Sequence, residues 1–206
     1  MKKYYLSFCL LLAISTASAY ANRGIGEATR TTDPGVVIDG IRWATRNVDA
    51  PGTFAQNPES AGMFYQWNCR RAWSATGEVS DWNTSTPQGE IWERANDPCP
   101  QGWRVPTSDE LQRLGFSDNV ISRWTEINEV NGRIFEDRTL GNILFLPAAG
   151  FRIRSNGALS SVGTSGYYWS SNVHGTNARN VWFSSGNVLV FTGNRADGFS
   201  VRCVAE

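Results

Sequence analysis

Residues 97 to 116 read DPCPQGWRVPTSDELQRLGF, and this stretch predicts the point at which an extended chain turns into a helix. Thr107 followed three residues later by Glu110 forms a capping-box pattern, in which each side chain bonds the backbone N–H of the other residue. The prolines on the N-terminal side of the cap keep their neighbours extended. We therefore predict a helix that begins directly after Thr107.

The same stretch also contains the adjacent acids Asp109 and Glu110, which raises the alternative of an active site. A general acid–base pair needs carboxylates with different pKa values, placed on either side of a substrate. Neighbouring residues on a helix point about 100° apart and outward. Acids in a first helical turn are also stabilised by the helix dipole, by about 0.3–1 kcal/mol each. We therefore predict a structural elbow here, and no catalytic residues.

Outward from the elbow, the remaining pattern is mostly that of strands. A second helix is predicted from Ser117 to Ile127, on the spacing of Val120, Ile121 and Trp124. Asp39-Gly40 and the run 184–187 each predict a hairpin between two β-prone segments, and residues 74 to 98 predict a long surface loop. From Arg133 onward the predicted strands are RIFE, ILFLPAAGFRI, YYWSSNV, NVWFSS, VLVFTG and FSVRCVA.

The N-terminus has the pattern of a secretory signal peptide. Lys2 and Lys3 precede the apolar run 6–14, and small residues suited to cleavage follow up to Ala21. We predict a signal peptide over residues 1–21, a flexible leader over 22–35 and one domain over 36–206. The protein is then exported to the cell surface or the extracellular space, with the periplasm as the alternative, and no segment is long and apolar enough to span a membrane.

The charge pattern argues against nucleic acid as a partner. Every basic residue after Lys3 is an arginine, and these 17 arginines face 19 acidic residues with no basic tract among them. Phosphate binding needs a concentrated positive surface.

Several separated motifs resemble the Fibrobacter succinogenes major paralogous domain, common in exported proteins of Bacteroidetes-type bacteria. They are GMFYQWN, CPQGWRVPTSDELQRL, LPAAGFR, GYYWSSN and GFSVRCV, in that order, between about Ile38 and the C-terminus. The resemblance implies a C-type-lectin-like fold, distantly similar to that of formylglycine-generating enzymes. We therefore expect one α+β domain with one or two helices and a twisted antiparallel β-rich second half.

Three cysteines remain after the signal peptide, namely Cys69, Cys99 and Cys203. Chain entropy does not select a pair, because a 99–203 bridge is worth about 4.7 kcal/mol and a 69–99 bridge about 3.6 kcal/mol. The resemblance implies the bridge between Cys99 and Cys203, which leaves Cys69 free, buried or paired with another molecule. The three cysteines and His174 lack the close spacing of zinc ligands, so we predict no metal and no cofactor.

The resemblance also places a binding face in residues 152 to 195, where C-type-lectin-like folds have variable loops. The predicted ligand-binding residues there combine aromatic faces with polar groups, and they are Trp169, Asn172, His174, Arg179 and Trp182. Core packing is the alternative for each tryptophan, because a loop-rich domain fills its interior with large rings.

These observations predict a secreted, non-enzymatic recognition or surface-assembly module that binds a glycan or a surface protein. One alternative is a structural subunit of a fimbria or surface polymer, with residues 22–35 as a docking strand. A degenerate enzyme of the formylglycine-generating type is a weaker alternative, since Cys203 has no neighbouring cysteine. No oligomeric state is predicted.

Overall fold

The structure, a computed structural model, describes residues 30–206. Arg30 and Thr31 are helical, and the remaining helices are the α-helix Ser108–Phe116 (α1) and the 3-10 turn Arg94–Asn96. The strands are Val36–Ile38 (β1), Ile41–Trp43 (β2), Met63–Tyr65 (β3), Ala72–Ser74 (β4), Trp103–Arg104 (β5), Val120–Ile127 (β6), Val130–Asp137 (β7), Ile143–Pro147 (β8), Phe151–Arg152 (β9), Leu159–Ser160 (β10), Ser165–His174 (β11), Asn177–Ser184 (β12), Val188–Asn194 (β13) and Val204–Ala205 (β14).

These strands form five small antiparallel sheets rather than one continuous sheet. The orders are β1-β2-β14-β5, β3-β4, β6-β7-β8, β9-β10 and β11-β12-β13. The second half of the chain holds the two three-stranded sheets, whose strands are the longest. The signal peptide predicted over residues 1–21 lies outside the described residues.

The predicted α+β, C-type-lectin-like fold is wrong. Residues 30–206 are mostly β, at 41% strand against 8% helix, and the second predicted helix is in fact β6, Val120–Ile127. Its β-branched and aromatic residues favour a strand. Asn128 and Glu129, with φ of 49° and 65°, then form a tight turn that pairs β6 with β7.

Both hairpins predicted from the sequence are confirmed. Asp39 and Gly40 adopt φ of 50° and 76° between β1 and β2, as a two-residue hairpin turn requires. Residues 184–187 join β12 to β13, with the Ser184 N–H donating to the Asn187 carbonyl at 3.0 Å. The segment 74–98 is largely irregular, as predicted.

The elbow at the start of α1 is confirmed as a capping box. The Glu110 N–H donates to the Thr107 hydroxyl at 3.2 Å, and Glu110 Oε2 accepts from the Thr107 N–H at 2.7 Å. Arg104 adds two bonds to the same carboxylate, at 2.8 and 2.7 Å. Burial acts to raise the pKa of Glu110, but the bonds from Arg104 and Thr107 outweigh it and hold that pKa below its ordinary value.

A disulfide between Cys99 and Cys203 ties this elbow to the C-terminal strand β14, with the two Cα atoms 6.1 Å apart. Asp97 braces the same place, because its carboxylate accepts the backbone N–H groups of Cys99 and Val105 at 2.8 and 3.1 Å. Burial raises the pKa of the Asp97 carboxyl. The disulfide is compatible with an exported protein.

Large rings fill the interior of the irregular half of the molecule. One buried cluster surrounds the disulfide and contains Trp67 and Trp169. A second lies beneath α1, where Leu111 and Leu114 pack against strands of both three-stranded sheets. The tryptophans therefore do mostly what aromatic residues do in a loop-rich protein, which is to bury area where regular elements are short.

Buried arginines hold the irregular loops to this core. Arg152 is fully buried and donates to the carbonyl groups of Ser74, Thr76, Gly77 and Gly157. Arg195 donates to carbonyl groups of Gly89, Gly175 and Asn177, and its guanidinium lies 4.7 Å from the Trp67 ring centre. We call the segments whose carbonyl groups these two arginines bind, around residues 74–77, 89, 157 and 175–177, the arginine-braced loops.

Part of the predicted flexible leader is fixed in place, while residues 22–29 lie outside the described range. Asp33 is buried, and its carboxylate accepts from the Thr45 N–H and the Thr45 hydroxyl, each at 2.9 Å, and from Arg46. Residues 33–35 therefore belong to the folded body. Among the helices of residues 30–206, none has the length and apolar content needed to cross a membrane.

Candidate ligand-binding site

Trp169, the first of the predicted ligand-binding residues, is a core residue. It is fully buried, stacks on Phe199 with ring centres 4.1 Å apart, and donates its Nε1–H to the Tyr65 carbonyl at 2.8 Å. The prediction for Trp169 is corrected, because its ring has no face left for a ligand.

Three further predicted residues lie on the same sheet but line neither of the depressions described below. Asn172 is exposed on β11, and its Oδ1 accepts the Ser108 N–H at 2.7 Å, which ties it to the start of α1. His174 is exposed at the end of β11. Arg179 precedes Asn180 on β12, so the two side chains point to opposite faces of the sheet.

Trp182 is the predicted residue that does line a depression. Tyr167, Trp182 and Leu189 are direct cross-strand neighbours on β11, β12 and β13, so their side chains share one face of the sheet. With Phe191 they line a depression of about 280 Å³. Leu189 and Phe191 are 43% and 61% exposed, which makes this an apolar surface open to solvent.

A second depression of about 300 Å³ adjoins the first and shares Tyr167 and Phe191 with it. Phe151 and Phe199 complete a cluster of three rings with Tyr167, with ring centres 4.6 to 5.7 Å apart. Its polar lining includes Arg154, Asn180 and Asp197. We call the two depressions together the aromatic cleft.

The alternation of β12 explains why these side chains face outward. Val181 and Phe183 are fully buried in the core beneath α1, which directs Asn180 and Trp182 to the opposite face. Gly193 on β13 leaves room for the Phe199 ring against the sheet, since an added Cβ would lie 2.6 Å from that ring. The Phe199 ring therefore packs directly on the sheet, where it lines the second depression.

Asn180 is the least satisfied polar side chain at the site. It is 1% exposed, and within residues 30–206 neither its Nδ2 nor its Oδ1 has a hydrogen-bond partner. Leaving a buried polar group unpaired costs about 1–3 kcal/mol. Buried polar groups of this kind are met by an ordered water or a ligand from outside the chain.

The charged groups at the rim are one acid and one base. Asp197 Oδ1 accepts the Arg154 N–H at 2.9 Å, and burial raises the pKa of the Asp197 carboxyl above its ordinary value. The Arg154 side chain is exposed. Because the two charges are of opposite sign, the rim favours neither an anion nor a cation.

A larger depression of about 450 Å³ lies between the β1–β2 turn and α1. Two of its three charged side chains pair with each other, since Arg113 Nε donates to Asp39 Oδ2 at 2.7 Å, and the third is Asp109 in the first turn of α1. That bond lowers the pKa of Asp39. None of its lining residues has a buried polar atom without a partner, unlike Asn180 in the aromatic cleft.

The described residues contain no cluster of three or more histidine, cysteine or acidic side chains placed to hold a metal ion. Two of the three cysteines considered as zinc ligands are bonded to each other. Cys69 carries a free, half-buried thiol, and burial raises its pKa. A raised pKa lowers the fraction of reactive thiolate.

One comparison with known proteins matches the part of the chain that contains the cleft. A family described as a domain of unknown function (DUF8237) matches residues 122–204, which run from within β6 to the start of β14 and include every residue that lines the cleft. No curated protein and no solved structure matches the chain.

Most residues of the cleft fall within the segment 152–195 that the sequence predicted as the binding face, but the individual residues differ. Asn180, Leu189 and Phe191 were missed. The run VLVF at 188–191 is apolar throughout, so no alternation marks which of its side chains face solvent. Asn180 directly follows Arg179, so the sequence does not single it out either.

Proposed function

We propose that the protein is an exported, non-enzymatic recognition module that binds glycans in the aromatic cleft. The observation that carries the proposal is the open apolar surface of Tyr167, Trp182, Leu189 and Phe191 next to a buried, unpaired amide. Sugar rings have apolar C–H faces and polar edges, so they match aromatic surfaces bordered by hydrogen-bonding groups. Small-ligand sites generally combine mostly apolar walls with a few polar groups.

The scaffold around the cleft suits binding without large rearrangement. β12, which contributes Trp182, is the central strand of its sheet and pairs on both sides. The Cys99–Cys203 disulfide belongs to the core cluster against which Phe151 and Tyr167 of the cleft pack. A preformed site loses less conformational entropy on binding.

The proposal is for binding rather than catalysis because the acids of the elbow have structural partners. Glu110 is held by Arg104 and Thr107. At the cleft itself the acid is Asp197, whose carboxylate accepts the Arg154 N–H. The resemblance to exported paralogous domains of Bacteroidetes-type bacteria supports a role at the cell surface.

A glycan array probed with residues 22–206, followed by titration of each hit, tests the proposal. Trp182→Ala should weaken binding about ten-fold or more, because it removes an aromatic wall of the cleft. Phe116→Ala is the matched control, since Phe116 is 53% exposed but lines the depression beside α1. The proposal fails if no glycan binds at millimolar concentration, or if both variants lose affinity equally.

A further inference from the structure

The Asn180 amide stands apart from the other buried amides of the described residues. Asn47, Gln66 and Asn68 each donate at least one hydrogen bond to a backbone carbonyl, at 2.6 to 2.9 Å. Asn180 has no partner for its donor group and none for its acceptor within this part of the chain. The other unpartnered buried atoms there each belong to a different side chain, so Asn180 alone offers two.

A primary amide presents its donor and acceptor side by side, about 2.3 Å apart by ordinary covalent geometry. Two hydroxyl groups on neighbouring carbons of a sugar ring match this arrangement, because one hydroxyl donates to Oδ1 while the other accepts from Nδ2. The C–H face of the same ring would lie against the cluster of Phe151, Tyr167 and Phe199. The paired signs of Arg154 and Asp197 favour a neutral ring over a charged one.

Both amide atoms are covered in the structure, so a ring that lines the cleft moves when a ligand reaches them. Phe191 is directly opposite Asn180 on β13 and is 61% exposed. An exposed side chain changes rotamer on the picosecond-to-nanosecond timescale. Phe191 is therefore the ring with room to turn aside.

We propose that the aromatic cleft recognises a neutral sugar through two adjacent free hydroxyl groups, both of which bond to Asn180. This inference rests on the proposed glycan-binding function and specifies the ligand of that site. Asn180 acts as a specificity-determining residue, while the rings supply the apolar contact.

The test uses cello-, manno-, malto- and galacto-oligosaccharides together with their fully O-methylated forms, each titrated into residues 22–206. O-methylation keeps the ring and removes every hydroxyl donor, so binding of the matching sugar should be lost. Asn180→Leu, which has nearly the same shape, should weaken binding of the unmodified sugar about ten-fold or more. Asn187→Leu is the control in the turn after β12, because Asn187 is exposed and lines neither depression, so the affinity should stay unchanged.

The outcomes separate this inference from the proposed function. If a sugar binds but Asn180→Leu binds it equally well, or the O-methylated form binds as tightly, the inference fails and glycan binding stands. If no sugar binds, both fail, and a hit from a peptide library would then point to a protein partner.

A measurement on the unsubstituted protein covers the case in which Asn180→Leu does not fold. The Asn180 side-chain NH₂ signals in a ¹⁵N-labelled sample should shift on addition of the matching sugar and stay fixed with its O-methylated form. Unshifted Asn180 signals at saturating sugar would overturn the inference.

Discussion

Arg152 and Asn180 are equally hidden from solvent, at 0% and 1% exposure, but the chain treats their polar atoms in opposite ways. Arg152 donates to four carbonyl groups of the loops around it. Asn180, beneath the aromatic cleft, has both amide atoms unpaired within residues 30–206. In this protein, paired buried polar groups mark where the fold is held, and the unpaired amide marks where a ligand is expected.

The comparison also explains why the chain uses arginine so heavily. An arginine offers five N–H donors in a planar fork, whereas a lysine offers one compact ammonium group. Loops such as 74–98 have few strand partners, so their carbonyl groups need donors from elsewhere. Arg152 and Arg195 supply several each, which lets long irregular segments pack against the core.

The largest expected effect on stability concerns the region that buried bonds hold in place rather than the cleft. Replacing Cys99 and Cys203 together with alanine should lower the free energy of unfolding by about 4–5 kcal/mol, because the bridge closes a loop of 104 residues. Urea unfolding followed by tryptophan fluorescence measures it. Cys69→Ala is the control and should have a much smaller effect. A loss below about 1 kcal/mol for the double variant would show that the disulfide does not hold the fold.

The next largest effect is expected for Arg152→Met, which should lower the free energy of unfolding by about 3 kcal/mol or more. It strips four buried carbonyl groups of their donor, and each unpaired group carries its own penalty. Arg123→Met is the matched control, because Arg123 makes an exposed ion pair with Glu136 that is worth about 1 kcal/mol or less. Equal losses for the two variants in urea unfolding would remove the structural role assigned to the arginine-braced loops.

The stability contributed by Glu110 at the elbow and by Asp197 at the cleft should change with pH in opposite directions. The pKa of Glu110 is lowered by folding, so its bonds stabilise the fold, by about 1 kcal/mol, above its ordinary pKa near 4.5. This stabilisation is lost as the pH falls below that value. Glu110→Gln should therefore be less stable than the parent at pH 7, and the difference should shrink towards pH 3.

Asp197 at the cleft gives the reverse case, because burial raises its pKa. The folded state pays for the charged form once the pH exceeds the ordinary pKa and passes through the raised one. Asp197→Asn keeps an oxygen for the Arg154 N–H, so it should gain stability relative to the parent as the pH rises through this window. Thermal unfolding from pH 3 to pH 7 measures both acids, and parallel curves for the two variants would contradict the assignment.

Phe191→Ala should have the smallest effect on stability, within about 0.5 kcal/mol, because its ring is 61% exposed. Phe183→Ala is its matched partner, since Phe183 is fully buried in the same sheet, and it should cost about 3–5 kcal/mol. A loss above about 1.5 kcal/mol for Phe191→Ala would make the cleft part of the core rather than a free surface.

The features that were predictable from sequence are those in which local chemistry decides the structure. Thr107 and Glu110 are three residues apart and bond each other, and Asp39-Gly40 is a turn whatever surrounds it. The segment 117–127 was predicted wrongly as a helix because its spacing fits two periods, and pairing with β7 decided the outcome. That pairing is a tertiary effect that no short window contains.

The cleft lay beyond local reasoning for a related reason. Trp169 and Trp182 are both tryptophans on neighbouring strands, but Phe199 covers the first and leaves the second at the surface. Phe199 is thirty residues downstream of Trp169 in an irregular segment. Whether a tryptophan of this sheet is buried or lines the cleft therefore depends on where the segment that contains Phe199 crosses the sheet.

The free energy of unfolding of Asn180→Leu, measured in urea beside the parent protein, tests the central claim most directly. A buried amide without a partner destabilises the protein when no ligand is bound. Replacing it with leucine should therefore raise the free energy of unfolding by about 1–3 kcal/mol. A fall in stability, like that expected for Arg152→Met, would show that Asn180 supports the fold and would contradict its assignment to a binding site.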